Sequence, residues 1–517
     1  MQVKDTKQKE LGIFYSPNYI ARFILQQALE VWFEEQKDFF QALQSVTILD
    51  PACGEGIFLV EGFDFLLEQY QNYFPNFPNP EIHIVKNNLF GVDIDEKAVE
   101  TTQSLLLEKL QHQKVNLENN IKLGNSLIGK SEFSPKAFDW AKEFPHIFAA
   151  GGFDVVVGNP PYVSFQSNII PQKEIDYFTE KYQTVYKVFD LFALFIEQSI
   201  ENLLKNNGEL SFIVPSVLLM NRSFSKLREL ICQKASFRNV TFFGDGVFPD
   251  AVVPTITFSL LKNKTQKPVK IGKAEKENIV IENQISQSIF CQNPLSGFNI
   301  SIKESDLQLF IKINKNTTSL GDVLEIRESI KTGDDKKFIS NTKKSPLYYP
   351  LVTGKDIGRY WLTSNRYILF DESALQRPTK IDYFLQDKLF IRRVGADLIA
   401  TFDNKNHFST HVLYLGLQKD EDYELKYLLA LINSKLFNYI YKTKFPPKGN
   451  IFPEIRIGNL RELPVKVISR EEQATYIEIV NKLLINYTEN LDQTLNQLIY
   501  QLYHLTAEEI ALIENAS

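Results

Sequence analysis

Apolar and polar positions follow two rhythms along the first half of the chain. Short, largely apolar runs at Val46–Asp50, Leu89–Asp93, Ile121–Leu123, Phe153–Gly158, Glu209–Val214, Val240–Phe243 and Thr255–Leu261 predict strands. Several are continuously apolar, as strands of a parallel sheet covered on both faces are. Between them, Tyr19–Glu34 and Asp190–Lys205 repeat apolar residues every three and four positions, which predicts helices. This alternation predicts an α/β fold. Near Lys262 it gives way to a polar stretch, roughly Asn263–Asn299, read as a linker or crossover. Beyond it, short strands mix with Gly/Asp/Lys turns, and a helical region begins near Glu471.

A chain of 517 residues exceeds one hydrophobic core, so two or three domains are expected. The formal net charge of -6 argues against a nucleic-acid partner until its distribution is seen. Residues 1–300 hold 28 Lys+Arg against 35 Asp+Glu, residues 311–465 hold 25 against 18, and residues 466–517 hold 3 against 8. A basic middle segment suits a chain that grips phosphate with one part only, although a lysine-rich surface has the same composition. Cys53, Cys232 and Cys291 lie far apart without a CxxC or Cys/His ligand spacing. The expectation is therefore no metal site and a reduced, cytoplasmic setting. The polar start lacks a signal-peptide core, and no apolar run is long enough to span a bilayer, so no membrane is expected.

Three motifs carry candidate chemistry. Asp50-Pro51-Ala52-Cys53-Gly54-Glu55-Gly56 stands between a strand and a helix, where glycines let the backbone turn tightly and approach a ligand. Asp93 ends the next strand, where a carboxylate can accept both hydroxyls of a ribose; Asp95 suits the following helix cap better. A nicotinamide dinucleotide fingerprint would need a third glycine and an acid about 20 residues on. Here the third glycine is missing, and a proline-rich insertion at Phe74–Pro80 separates Asp93 from the loop. A cofactor with ribose but no pyrophosphate fits better, a description that covers S-adenosyl-L-methionine.

The third motif, Gly158-Asn159-Pro160-Pro161-Tyr162, closes an apolar strand and is the most specific. Its prolines fix an extended turn and remove two N–H donors, leaving carbonyls outward. The Asn159 side-chain oxygen and the Pro160 carbonyl together offer two acceptors to one amino group. An aromatic amine is a poor nucleophile because its lone pair is delocalised. Accepting both N–H hydrogens localises that pair, and Tyr162 offers a flat face for the ring.

With these residues together, the chain resembles the gamma class of N6-adenine DNA methyltransferases, the TaqI-like enzymes of restriction–modification systems. The resemblance implies a Rossmann-like class I methyltransferase domain with a mostly parallel seven-stranded sheet. It also implies a C-terminal mixed α+β target-recognition domain. The expected boundaries are 1–265 for the catalytic domain, 266–310 for a linker, and 311–517 for the specificity domain with its helical end. In Gly12-Ile13-Phe14-Tyr15-Ser16-Pro17, Tyr15 and Ser16 would approach the cofactor's methionine carboxylate; Ser before Pro equally suits a helix N-cap. Asp50 and Gly54 would hold the methionine end and Asp93 the ribose, with Ala52 and Ile94 also at the cofactor. Asn125 stands where many members have an Asp that bonds the cofactor's adenine. Phe248, in Gly246-Val247-Phe248-Pro249-Asp250, would pack on a flipped target base.

In the basic segment, Lys331, Lys336, Lys337, Lys355, Arg392 and Arg393 fall in stretches that resemble the TaqI-like specificity domain. They are candidates to hold phosphates or read base edges of double-stranded DNA. The resemblance implies methyl transfer to adenine N6 in a base swung out of the duplex, with a cognate restriction endonuclease as a further partner. Protein-glutamine or RNA-adenine methylation, cytosine N4 methylation and a fused restriction enzyme–methyltransferase stay open. Only eleven residues precede Gly12, so no nuclease domain is expected at that end.

Overall fold

The computed structural model describes residues 16–110, 115–167, 169–186, 189–244, 254–275, 278–291, 297–298, 300, 303–377, 379–445 and 454–516. The chain divides into two compact units, Met1–Glu304 and Ser305–Ser517. The first is built on strands β1 (Ile48–Asp50), β2 (Leu89–Asp93), β3 (Ile121–Leu123), β4 (Phe153–Gly158), β5 (Leu204–Pro215), β6 (Ser236–Gly244), β7 (Thr255–Leu261), β8 (Val269–Glu275) and β9 (Asn278–Ile285). They form one sheet in the order β3-β2-β1-β4-β5-β7-β6-β8-β9. Pairing is parallel from β3 through β5. β7 then inserts antiparallel between β5 and β6.

β2, β3, β4 and β7 coincide with the expected runs; β4 and β7 are buried along their whole length, as strands covered on both faces are, whereas β3, at the sheet's edge, buries only Ile121. Val155, Val156 and Val157 at the centre of β4 are fully buried. The helix expected to reach Lys205 instead ends at Gln198 and passes through a wider turn, Ser199–Leu203, into β5. β1 lies between β2 and β4, so strand order reverses there and a crevice opens at the carboxyl ends of these strands.

The stretch expected as a linker, 266–310, contributes two strands to this sheet. β8 joins β6 in parallel, and β9 returns antiparallel beside it, extending seven strands to nine. Its alternating polar residues belong to strands at the sheet's margin, where Val280 and Ile281 stay exposed. The hairpin also corrects the cysteine expectation. Cys232 and Cys291, 59 residues apart, are joined in a disulfide, and only the buried Cys53 remains a free thiol. That spacing carries no local signal; folding of β8 and β9 brings the two together.

The second unit is mixed α+β. Leu324–Glu328, Leu413–Gln418, Lys388–Arg392 and Ala400–Asp403 form an antiparallel sheet. A second sheet holds Tyr348–Val352 and Arg366–Leu369. The expected helical end comprises Arg470–Ile485, Glu489–Leu502 and Ala507–Asn515. Ser469 with Glu472 and Thr506 with Glu509 form capping boxes that satisfy the first N–H groups of two of these helices. Among the described residues no helix is long and apolar enough to cross a membrane.

The core of this unit encloses a complete ion pair. Lys388 Nζ meets Asp403 Oδ2 at 2.7 Å, with both side chains almost wholly out of water. His407 Nδ1 lies 2.7 Å from the other Asp403 oxygen, and Lys388 also donates to the Phe384 carbonyl at 2.7 Å. Removing one partner strands the other in low dielectric. Lys388→Met is therefore expected to cost this unit about 3–5 kcal/mol, whereas Lys388→Met with Asp403→Leu recovers much of the loss. Urea denaturation of the three proteins checks the ordering.

Candidate active site

Asp50 ends β1 with its carboxylate buried at 1% exposure. Oδ1 accepts the Ala52 N–H at 3.0 Å; Oδ2 is buried with no hydrogen-bond partner among the described residues. On the adjacent strand Gly158 ends β4 at φ +151°. A Cβ at 158 would fall 2.7 Å from Asp50 Oδ1, so only glycine lets the two strand ends approach with the carboxylate between them. Burial pushes the Asp50 pKa up to about 8; the Ala52 N–H opposes this and the nearby Asp93 adds to it.

Asp93 ends β2. Its Oδ2 accepts from the Gly54 N–H at 2.8 Å and its Oδ1 from the Asp95 N–H at 2.9 Å. Burial raises its pKa, and those backbone donors oppose the rise. Each oxygen retains a lone pair, so the carboxylate can receive two further donors side by side. Asp95, as expected, caps the helix Glu96–Glu108, accepting from Lys97 N–H at 3.1 Å. Two other elements pin the glycine loop. Thr102 Oγ1 donates to the Gly54 carbonyl at 2.9 Å, and Ser126 Oγ donates to the Pro51 carbonyl at 2.6 Å. Asn125 Oδ1 accepts the Leu127 N–H at 3.1 Å, closing its own turn.

Ser16 is not the helix cap that Ser-Pro suggests. The helix Asn18–Glu34 has Pro17 at its cap position without a side-chain bond. The Ser16 hydroxyl instead accepts from Asn159 Nδ2 at 3.2 Å, across 143 residues of sequence. Tyr162 packs its ring against the core and donates its hydroxyl to the Ile213 carbonyl at 3.1 Å. Burial pushes its pKa up. Tyr15 and Phe248 lie outside the described residues.

A cavity of about 1500 Å³ joins these groups. Ser16, Asp50, Ala52, Gly54, Asp93, Ile94, Asn125 and Asn159 all line it; Pro160 and Tyr162 do not. Reading residues singly missed Gly158, Ser126, Thr102 and the apolar wall of Phe178 and Phe195. Gly158 was findable, since an isolated glycine inside a strand marks a close approach. Thr102 had no signal of its own. Among the described residues no three His, Cys, Asp or Glu side chains are grouped to hold a metal ion.

Comparison with known families gives one match in each unit. Residues 87–248 match the family described as Eco57I restriction-modification methylase. Residues 349–465 match the TaqI-like C-terminal specificity domain. The chain joins a restriction–modification methylase domain to a specificity domain. Its homologues are type II methyltransferases. One, M.VspI of a Vibrio species, is 25% identical over 68% of this chain and 72% of its own. The type II restriction enzyme and methyltransferase RM.Eco57I of Escherichia coli is 28% identical over 44% of this chain. This chain spans only 26% of that protein's length. Among solved structures, the Type IIL restriction-modification enzyme MmeI in complex with DNA shares the fold, with a TM-score of 0.59 at 15% identity. That likeness covers 98% of this chain and 79% of MmeI.

In the specificity unit, Lys331, Lys336, Lys337 and Lys355 are exposed. Arg392 and Arg393 are not surface cations awaiting a partner. Arg392 is half-buried and donates to the Ile357 carbonyl; burial lowers its pKa. Arg393 is held by Glu454 at 2.6 Å and by Glu328 at 3.6 Å.

The methylase cavity's acid makes a prediction about stability. A carboxyl whose pKa rises on folding from 3.8 to about 8 keeps a proton that the unfolded chain releases. Stability therefore falls as pH climbs through that window. Asp50→Asn, which mimics the protonated acid, is expected to be more stable than the parent, with a gap in Tm that widens from pH 4 towards about 8. Thermal melts of both proteins across that range, without ligand, check it; parallel curves count against it.

Proposed function

We propose that this chain is a site-specific DNA methyltransferase that transfers a methyl group from S-adenosyl-L-methionine to the N6 amino group of adenine. The observation that carries the reading is the meeting of Asn159, Asp50 and Asp93 in one cavity at the carboxyl ends of β4, β1 and β2. The donor set suits the cofactor. The buried Asp50 oxygen, without a partner among the described residues, matches an ammonium, and the paired lone pairs of Asp93 match a vicinal diol. The apolar Ile94 and Phe178 suit an adenine ring. When bound, S-adenosyl-L-methionine supplies an electrophilic sulfonium methyl.

The chain's own residues prepare the nucleophile. The Asn159 side-chain oxygen accepts one N–H hydrogen of an aromatic amino group, and the adjoining Pro160 carbonyl, which lies outside the cavity lining in the free chain, is the acceptor for the second. That localises the nitrogen lone pair and raises its nucleophilicity. Ser16 fixes the amide by accepting its Nδ2 hydrogen, which leaves the amide oxygen as the end turned to substrate. An adenine in duplex DNA reaches such a pocket only by leaving the stack. The excess of basic residues in 311–465, which contains the specificity match, supports DNA as the polymer that delivers it. The presence of a cognate restriction endonuclease belongs to the same reading.

Asn159→Ala is expected to abolish methyl transfer while cofactor binding stays within about threefold of the parent, since Asn159 is one of several lining residues. Ser16→Ala is expected to lower turnover, and Ser16→Thr, which keeps the hydroxyl, to restore it. The deciding experiment expresses the protein in a methylation-deficient host and maps N6-methyladenine across its DNA. Methyl label in RNA or protein but not in duplex DNA overturns the substrate; parental turnover by Asn159→Ala overturns the role of the motif.

A further inference from the structure

The specificity unit holds an exposed tryptophan with unusual rigidity. Trp361 is 45% exposed, whereas Trp32 and Trp140, the chain's two other tryptophans, are 8% and 7% exposed. An indole left in water forgoes the burial that makes this side chain stabilising elsewhere. It sits on a hairpin in which Ile357 pairs with Leu362 and Gly358 with Trp361. A Cβ at 358 would fall 2.1 Å from the indole Nε1, so the ring lies against backbone where only glycine leaves room.

The turn itself, Arg359–Tyr360, points inward. Tyr360 takes φ +65°, a left-handed conformation that bulky side chains rarely adopt. It is 1% exposed, with its ring stacked 6.5 Å from that of Tyr487. Arg359 is locked to Asp492 at 2.6 Å. On the strand side, the Asp356 carboxylate accepts from the Thr353 N–H at 2.8 Å and pairs with Arg366 at 3.2 Å, while Thr363 N–H donates to the Asp356 carbonyl at 2.8 Å. What this frame leaves exposed alternates along the chain: Trp361, Thr363 and Asn365, with Lys355 two residues ahead of the hairpin. A flat π-face, a cation and two short hydrogen-bonding side chains are the components of nucleotide recognition.

We propose that Trp361 is a DNA contact whose indole stacks on a base at a step opened from the duplex stack, with Lys355 on a neighbouring phosphate. The proposal rests on the reading of DNA as the substrate and adds a residue that sets how the duplex is held. The local strain of Tyr360 and the bare Gly358 then act together, because both fix the direction in which Trp361 projects.

Trp361 is its own reporter, since the other two indoles are buried. Titrating the full chain with a mixed-sequence, unmethylated duplex at low salt is expected to quench the solvent-accessible tryptophan emission and protect it from acrylamide. Trp361→Ala is expected to lose that component and bind the duplex about 10- to 100-fold more weakly, in line with the loss of one stacking contact. Trp361→Phe, which keeps a ring, should retain most of the affinity. Duplex binding that leaves wild-type emission unchanged, with Trp361→Ala binding as tightly as the parent, overturns the contact and leaves the DNA reading standing. A wild-type chain that binds no duplex overturns both. The wild-type titration decides the contact even if Trp361→Ala fails to fold.

Discussion

A carboxylate held between two adjacent strand ends governs the geometry of the methylase unit. Asp50 occupies the space that a side chain at residue 158 would take, so β1 and β4 can end together only with glycine there. The arrangement leaves one carboxylate oxygen buried without a partner among the described residues, a state that opposes folding in the absence of a ligand. Everything else in the cavity is arranged around that point. The Asp93 carboxylate orients the glycine loop through Gly54, while Thr102 and Ser126 clamp it from outside. Asn159, one residue beyond Gly158, inherits its position from the same close approach.

Much of this was legible in sequence where the signal was local. Five strands, β1, β2, β3, β4 and β7, ended at the expected residues, most clearly β4, whose buried valine run has one interpretation in a parallel sheet. The acids at the ends of β1 and β2 were legible for the same reason: a strand that stops at Asp places that Asp at the crevice. What failed was non-local. β8 and β9 sit at the sheet's margin, so their polar alternation resembled a linker, although β6 supplies one of them with a parallel partner. The Cys232–Cys291 bond follows from that hairpin and had no other trace.

At Ser16 and Arg393 a local meaning stands beside a distant one. Ser before Pro has a ready interpretation as a cap, yet its hydroxyl bonds an amide 143 residues away. Arg393 stands in a basic stretch, yet it closes ion pairs with Glu328 and Glu454 that make it part of the scaffold. Charge counts locate a basic segment; they do not separate cations that face solvent from those that hold strands together.

The division of the chain has a consequence for substitutions. All residues lining the methylase cavity belong to Met1–Glu304, and the hairpin with its exposed indole belongs wholly to Ser305–Ser517. Each unit has its own core and its own sheets. Under the proposed reading, substitutions on the 355–365 surface leave the buried acid and its cavity undisturbed, so a change in what the second unit holds need not cost the first its core.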